Sequence, residues 1–335
     1  MTDLEYILPI VWYCIIGGGI LMYVILDGYT QGIGILMPFA HNMHERNMMM
    51  SVVLPTWDGN QTWLVFGTAA LYGAFPAAFG TLLPLIYLPI MAMVISILFR
   101  GVAFEYRMKS TEYAHIWDRV IFTSSFITAF MQGNILGAFV EGFHHEELLK
   151  NYFAWHSPFA YLTGIGVVTG YALLGATRIV HKLDGPLQFY MYRVSKVCLI
   201  LVALFMAIVS IATPFVHPEV FSFWFDLKKI PFLAFLPLIT GVFFLWCWYE
   251  LISQHNDTMP FILSYLMFIC GYVGLGLSTY PYLVPRSMTI WEAAAPTSTL
   301  LFMTPGAAIM LPVILVYTYS AYKIFKGKVH DPISY

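Results

Sequence analysis

The most telling shortage in this sequence is charge. Lys, Arg, Asp and Glu make up 10% of the 335 residues, against 59% hydrophobic residues. Soluble proteins carry about 25% charged residues, so the chain reads as an integral membrane protein, not a soluble domain with an anchor. The net charge of -2 lacks the basic excess that a nucleic-acid partner calls for. Cysteine is scarce: Cys14, Cys198, Cys247 and Cys270 each sit inside an apolar run, and none forms a C-x-x-C pair. That spacing excludes a thiol metal site and leaves four small hydrophobes. Histidine is missing where a membrane haem would need it, because all 10 fall in loops or at span ends. His144-His145-Glu146-Glu147 clusters ligand types without the spacing of a metal site. There is no basic segment before the first apolar run, only the acidic Met1-Thr2-Asp3-Leu4-Glu5. A cleaved secretory signal wants the opposite charge, so the first run is expected to stay as a membrane helix.

What is present is a series of long apolar runs. A membrane helix needs about 20 such residues. Nine runs meet that length, near residues 7–26, 55–75, 79–99, 120–140, 159–177, 197–215, 230–249, 259–280 and 300–322. The stretch after Asp27 is still mostly apolar, so the first helix is expected to run past it. An N-terminus outside the cell puts 12 of the 16 Lys and Arg on the cytoplasmic side, which favours that orientation and a cytoplasmic C-terminus. The chain reads as one transmembrane domain, 1–335. The four-helix groups at 1–140 and 155–282 are candidate related halves, with a last helix at 300–322. Gly28 and Gly32, Gly133 and Gly137, and Gly166 and Gly170 are spaced for close helix contact.

The most polar stretch to run straight into a span is Pro55-Thr56-Trp57-Asp58-Gly59-Asn60-Gln61-Thr62-Trp63. Pro55 suits a helix start, and Asp58 falls where the free N–H groups of a first turn favour an anion. Polar groups are costly beside lipid, so the cluster is expected to face protein or water. It reads as a proton or ion entry point, or as a helix cap on a buried loop. Asp27 lies near the cytoplasmic end of the first span and needs a partner at membrane depth; Arg100 is the nearest suitable cation. That pair reads as part of a proton route, as an electrostatic brace, or as a structural tie between helices. Arg100, Glu105, Arg107 and Asp118 flank one cytoplasmic loop. Glu141, Glu250, Asp257 and Glu292 sit at span ends, where solvation is the default expectation. The 17% aromatic content suits an interface belt, with some rings available to a quinone tail or lipid.

These pieces resemble one family. Trp57-Asp58-Gly59-Asn60-Gln61-x-Trp63-Leu64 is similar to the signature of subunit II of cytochrome bd-type quinol oxidases, including the cyanide-insensitive branch. Asp27-Gly28-Tyr29 through Gly32-Ile33-Gly34-Ile35-Leu36, Phe99-Arg100-Gly101-Val102-Ala103-Phe104-Glu105-Tyr106-Arg107 and Ile116-Trp117-Asp118 resemble further pieces of it, in order. The resemblance implies two four-helix bundles plus one extra helix, in a bacterial inner membrane. It implies a complex that oxidises membrane quinol and reduces dioxygen to water with protons from the cytoplasm. Haems b and d and the quinol site would belong to a larger partner, subunit I. Small accessory subunits and a structural quinone are further candidates, and no cofactor is expected to be bound directly by this chain. Asp58 is then expected to accept protons, with Trp57 shaping the channel mouth. Asp27, Arg100 and Asp118 would be electrostatic or relay positions. One departure stands out: the family's motif has Phe at the position of Tyr29 and a second acid at the position of Thr30. A hydroxyl can relay a proton but cannot hold a charge. The rival class is a proton-coupled secondary transporter, which would also have many spans and few carboxylates but no haem partner.

Overall fold

The computed structural model describes residues 3–110, 112–143, 155–216 and 234–332. The acidic and histidine cluster at 144–147 lies outside them. The helices are α1 (Asp3–Leu36), α2 (Met43–Val53), α3 (Trp57–Ala74), α4 (Pro76–Lys109), α5 (Ala114–Glu141), α6 (Pro158–Lys182), α7 (Pro186–Val216), α8 (Phe235–Ser253), α9 (Met259–Thr279), α10 (Ile290–Ala293) and α11 (Thr297–Ile324). A small antiparallel hairpin, β1 (Tyr282–Val284) and β2 (Met288–Thr289), precedes α10.

Among the described residues, eight helices are long and apolar enough to cross a membrane: α1, α4 to α9 and α11. The remaining expected span, 55–75, is the helix α3. It falls short in hydropathy because its first turns, Trp57 to Thr62, are polar. It is 18 residues long, about 27 Å at the usual rise, and lies antiparallel along α1. Asn60 is bonded to the Leu26 carbonyl at one end, and Phe66 lies against Gly19 further along. The first helix does run past Asp27, to Leu36. Between the two, α2 replaces an expected loop; the Asn42 side chain caps it by accepting from the Glu45 N–H at 2.9 Å, and Met48 to Val53 are buried. Within α4, Ile86 leaves helical geometry, where Pro89 removes a hydrogen bond and crowds the preceding turn.

Two of the three glycine pairs are real seams. A Cβ on Gly32 would overlap the Tyr171 carbonyl, and α1 and α6 cross backbone to backbone there, with Gly175 opposite. Gly133 and Gly137 of α5 press on Ala160, Thr163 and Gly164 of α6. At the third pair, Gly166 has ordinary clearance and Gly170 packs on the Phe268 ring. Two large apolar clusters form at opposite ends of α1. One holds Leu8, Trp12 and Ile16 with α3, α4 and the hairpin; the other holds Tyr29, Ile33 and Leu36 with α2, α6, α7 and α9.

Polar clasps close both ends, and they correct the expectation that the terminal acids are merely solvated. Thr289 and Glu292 form a capping box on α10. Ser157 donates to Glu141 at 2.5 Å, and Trp246 donates to Glu250 at 3.2 Å. The C-terminal segment is strapped down: Lys182 donates to the carbonyls of Phe325 at 2.6 Å and Gly327 at 2.7 Å, while the Val329 N–H donates to the Lys182 carbonyl at 2.8 Å. Lys328 pairs with Asp184 and, at 2.5 Å, with Asp257, which also accepts from Gln188 and Tyr192.

Candidate functional site

Asp27 sits between the two apolar clusters, one helical turn beyond Tyr23. Its carboxylate is 0% exposed and is paired with Arg100 of α4, 1% exposed, at 2.8 Å and 3.1 Å through one Nη nitrogen. Both oxygens accept further bonds, Oδ1 from the Thr30 hydroxyl at 2.5 Å and Oδ2 from the Gln31 amide at 2.8 Å. The carboxylate is therefore saturated. Arg100 is not: its Nε and its other Nη find no acceptor among the described residues. Nearly all of the compensation for a buried guanidinium thus comes from Asp27.

A polar branch leads away from the pair. Gln31 also reaches the Tyr23 hydroxyl at 3.3 Å; Gln132 of α5 donates to that hydroxyl at 2.9 Å, and Tyr171 of α6 donates to Gln132 at 2.6 Å. Gln31 and Tyr23 lie four residues either side of Asp27 on α1, a spacing that puts all three on one helix face. That signal was present in the sequence and unused. Gln132 and Tyr171 come from other helices and left no local signal.

The polar segment at the head of α3 brackets the pair from two sides. Trp57 packs edge-on against Phe104 at 5.3 Å and leans on Gly101, the residue after Arg100. Asn60 donates to the carbonyl of Leu26, the residue before Asp27, at 2.8 Å. Asp58 stands between them on the outer face of the first turn of α3. It is exposed and makes no hydrogen bond or ion pair among the described residues. Its carboxylate does not touch Asp27 or Arg100, so the structure does not join the three into one cluster.

A chain of hydroxyls runs beside this segment. Thr56 and Tyr29 are 2.5 Å apart, Tyr29 and Tyr322 are 3.1 Å apart, and Tyr322 is 3.1 Å from the Asn60 side-chain oxygen. Hydroxyls rotate, so two orientations are consistent. In one, Tyr322 donates to the Asn60 side-chain oxygen. In the other, Tyr322 donates to Tyr29, Tyr29 to Thr56, and Thr56 to the Val53 carbonyl at 3.5 Å. Arg178 of α6 lies over the Tyr29 ring at 4.8 Å and the Phe261 ring at 4.9 Å. Tyr29 and Thr30, the two departures from the family motif, therefore both make hydroxyl contacts: Tyr29 in this chain, Thr30 to Asp27 itself.

Asp118 belongs to a separate clasp at the loop between α4 and α5. Arg107 donates to it at 2.5 Å and Arg46 at 3.3 Å, while Arg107 also reaches Asn47 at 2.9 Å. Arg107 is buried in this clasp, whereas Glu105 is an exposed partner of Lys109. Among the described residues no three His, Cys, Asp or Glu side chains could hold a metal together. The described histidines stand in loops and near helix ends, so the donor set does not fit an axial haem ligand at mid-span.

The whole chain is similar to known proteins of one kind. The family model for cytochrome bd terminal oxidase subunit II matches residues 8–325. Cytochrome bd-I ubiquinol oxidase subunit 2 of Escherichia coli K12 is 26% identical over 370 residues, covering 98% of this chain and 97% of that protein. Cytochrome bd ubiquinol oxidase subunit 2 of Bacillus subtilis is 31% identical over 134 residues, 39% of this chain and 40% of that protein. The solved bd oxidase of Geobacillus thermodenitrificans has the same fold, with a TM-score of 0.78 at 15% identity over 95% of this chain and 98% of that one. With the match running through nearly every helix, the chain belongs to the cytochrome bd terminal oxidase subunit II family.

Proposed function

We propose that this chain is the subunit of a membrane quinol oxidase that holds no haem of its own and carries the mouth of a proton route. Family membership supports the oxidase activity, and the E. coli relative is named for ubiquinol. Haems b and d, the oxygen chemistry and the quinol site lie in the larger partner, subunit I. The chain sits as a multi-pass protein in the bacterial inner membrane. The bias of positive charge supports an outside N-terminus, and the packing of α3 along α1 supports a ninth crossing.

The observation that carries the proton reading is the buried Asp27–Arg100 pair, bracketed by Trp57 and Asn60 of the same segment that presents Asp58 at the surface. Asp58 takes a proton from the cytoplasm. The Thr56, Tyr29 and Tyr322 hydroxyls, hydrogen-bonded in a row, supply a relay beside it. Asp27 and Arg100 set the potential at the inner end, and Asp118 fixes the loop through Arg46 and Arg107.

Exchange of Asp58 for Asn in the assembled complex tests this. Removing a proton-transfer group is expected to lower oxygen consumption about tenfold or more, with reduced-minus-oxidised haem bands and quinol affinity unchanged. Unchanged turnover in an assembled Asp58→Asn complex refutes the role.

A further inference from the structure

The arginines at the loop end of α4 and α5 are unequally satisfied. Arg46 and Arg107 share Asp118, and Lys109 pairs with Glu105. Arg119, in the second turn of α5, is exposed and has no hydrogen bond or ion pair among the described residues. It stands at the mouth of a groove of about 300 Å³ between α4 and α5, lined by Ser96, Phe99, Ile116, Val120, Thr123 and Ile127 among others. Ile127 lies eight residues, about 12 Å, further along the helix than Arg119. The groove thus has a cationic mouth, an apolar trough and, one turn below Arg119, the hydroxyl of Thr123. The Thr123 and Ser96 hydroxyls make no bond among the described residues, while that of Ser124 is bonded to the Val120 carbonyl. An unpaired hydroxyl at that depth is costly in hydrocarbon and suits the ester oxygens of a lipid.

We propose that this groove is a binding site for one anionic phospholipid, its phosphate on Arg119, its ester region at Thr123 and an acyl chain along Phe99, Val120 and Ile127. Charge complementarity selects the headgroup, because the nearby cations already have their carboxylates and Arg119 has none. The amphipathic lining selects a lipid over a free anion. The position suits it too, since a basic side chain at the end of a membrane helix on the positively biased side meets the anionic leaflet.

The test uses the whole oxidase complex, purified, stripped of lipid in detergent and read by native mass spectrometry. It is titrated with phosphatidylglycerol, with phosphatidylcholine of the same chains, and with inorganic phosphate. One phosphatidylglycerol is expected to be retained in preference to phosphatidylcholine. Arg119→Gln is expected to lower that preference about fivefold, and Arg119→Lys to keep most of it. Ile127→Trp, which fills the trough, is expected to reduce binding of both lipids. Equal binding of the two lipids, an unchanged preference in Arg119→Gln, or full displacement by inorganic phosphate overturns the proposal. So does efficient cross-linking of Thr123→Cys to the partner subunit, which would make this face a protein interface. Haem bands of each variant report assembly, and Arg119→Lys keeps the test decisive if Arg119→Gln fails to assemble.

Discussion

Replacing Asp27 by Asn is the sharpest test of the buried centre. Arg100 is 1% exposed, and its only described acceptors are the two oxygens of Asp27. Charges about 3 Å apart attract by roughly 5–6 kcal/mol at an effective dielectric near 20. Breaking such a pair from one side leaves the other charge buried, at a net cost of about 3–5 kcal/mol. The amide adds a second fault. Both carboxylate oxygens accept from donors, Thr30 and Arg100 on one side and Gln31 and Arg100 on the other, so the new NH2 group meets a donor in either orientation. The expected loss corresponds to about two to four powers of ten in the unfolding equilibrium. The chain supplies its own reporter, because Cys198 and Cys247 are free and buried. A thiol-reactive dye follows their exposure during heating of the detergent-purified complex, with exposed Cys14 as the unprotected baseline. Asp27→Asn should lower the transition clearly. The double change Asp27→Leu with Arg100→Met should cost less than Asp27→Leu alone, since both charges leave together. If the single variant melts like the parent, or the double variant is the worst of the set, Arg100 does not depend on Asp27 and the reasoning fails.

Two further outcomes are expected. Gly32→Ala should separate α1 from α6, because its Cβ would overlap the Tyr171 carbonyl; a loss of about 1–3 kcal/mol in the same dye assay is expected, and an unshifted transition refutes the contact. The C-terminal clasp should depend on pH at both extremes. Partial burial works against the charged form of Asp257, but Lys328, Tyr192 and Gln188 hold its carboxyl below the usual value. Burial likewise opposes the charge of Lys328, yet Asp184 and Asp257 hold it above its usual value. The clasp is then complete between about pH 4 and about pH 10, weakening as pH falls through the lowered Asp257 value or rises through the raised Lys328 value. Hydrogen exchange of residues 325–330, corrected for intrinsic rate, should show release in acid and, for Asp257→Asn, at neutral pH; protection unaffected by either change refutes the clasp.

Much of this fold was legible because its strongest signal is local. Apolar runs located the helices, and the continued hydrophobicity after Asp27 announced the long α1. The spacing of Gly28 with Gly32 and of Gly133 with Gly137 marked two seams against α6. Failures came where structure depends on partners. The segment His44-Glu45-Arg46-Asn47 made α2 read as loop, since it forms a helix by burying Met48 to Val53 under the other helices. The bonds of Glu141 and Asp257 depend on residues distant in sequence, and the hairpin at 282–289 sets Val284 into a cluster with Leu8, Trp12 and Ala74 from far along the chain. The half-polar α3 was read as a span by its position and length, although its hydropathy is the lowest of the long helices.

The candidate site shows the same limit in its chemistry. A carboxylate at depth demands a cation, and Arg100 was the nearest one of the right type, so the Asp27–Arg100 pair could be reasoned from composition and order alone. The relative environments of Asp27 and Asp58 could not. Sequence reasoning ranked Asp58 first because it stands in the richest polar motif, yet the residues of that motif which turn inward are Trp57 and Asn60, 5.3 Å from Phe104 and 2.8 Å from the Leu26 carbonyl. On a helix these two and Asp58 cannot share a face. Asp58 is thereby turned outward, while Asp27 is sealed with Arg100. The two acids thus stand in opposite surroundings, one exposed and one buried against Arg100, and that division follows from which side chains of a single turn the packing of α1 and α4 draws in.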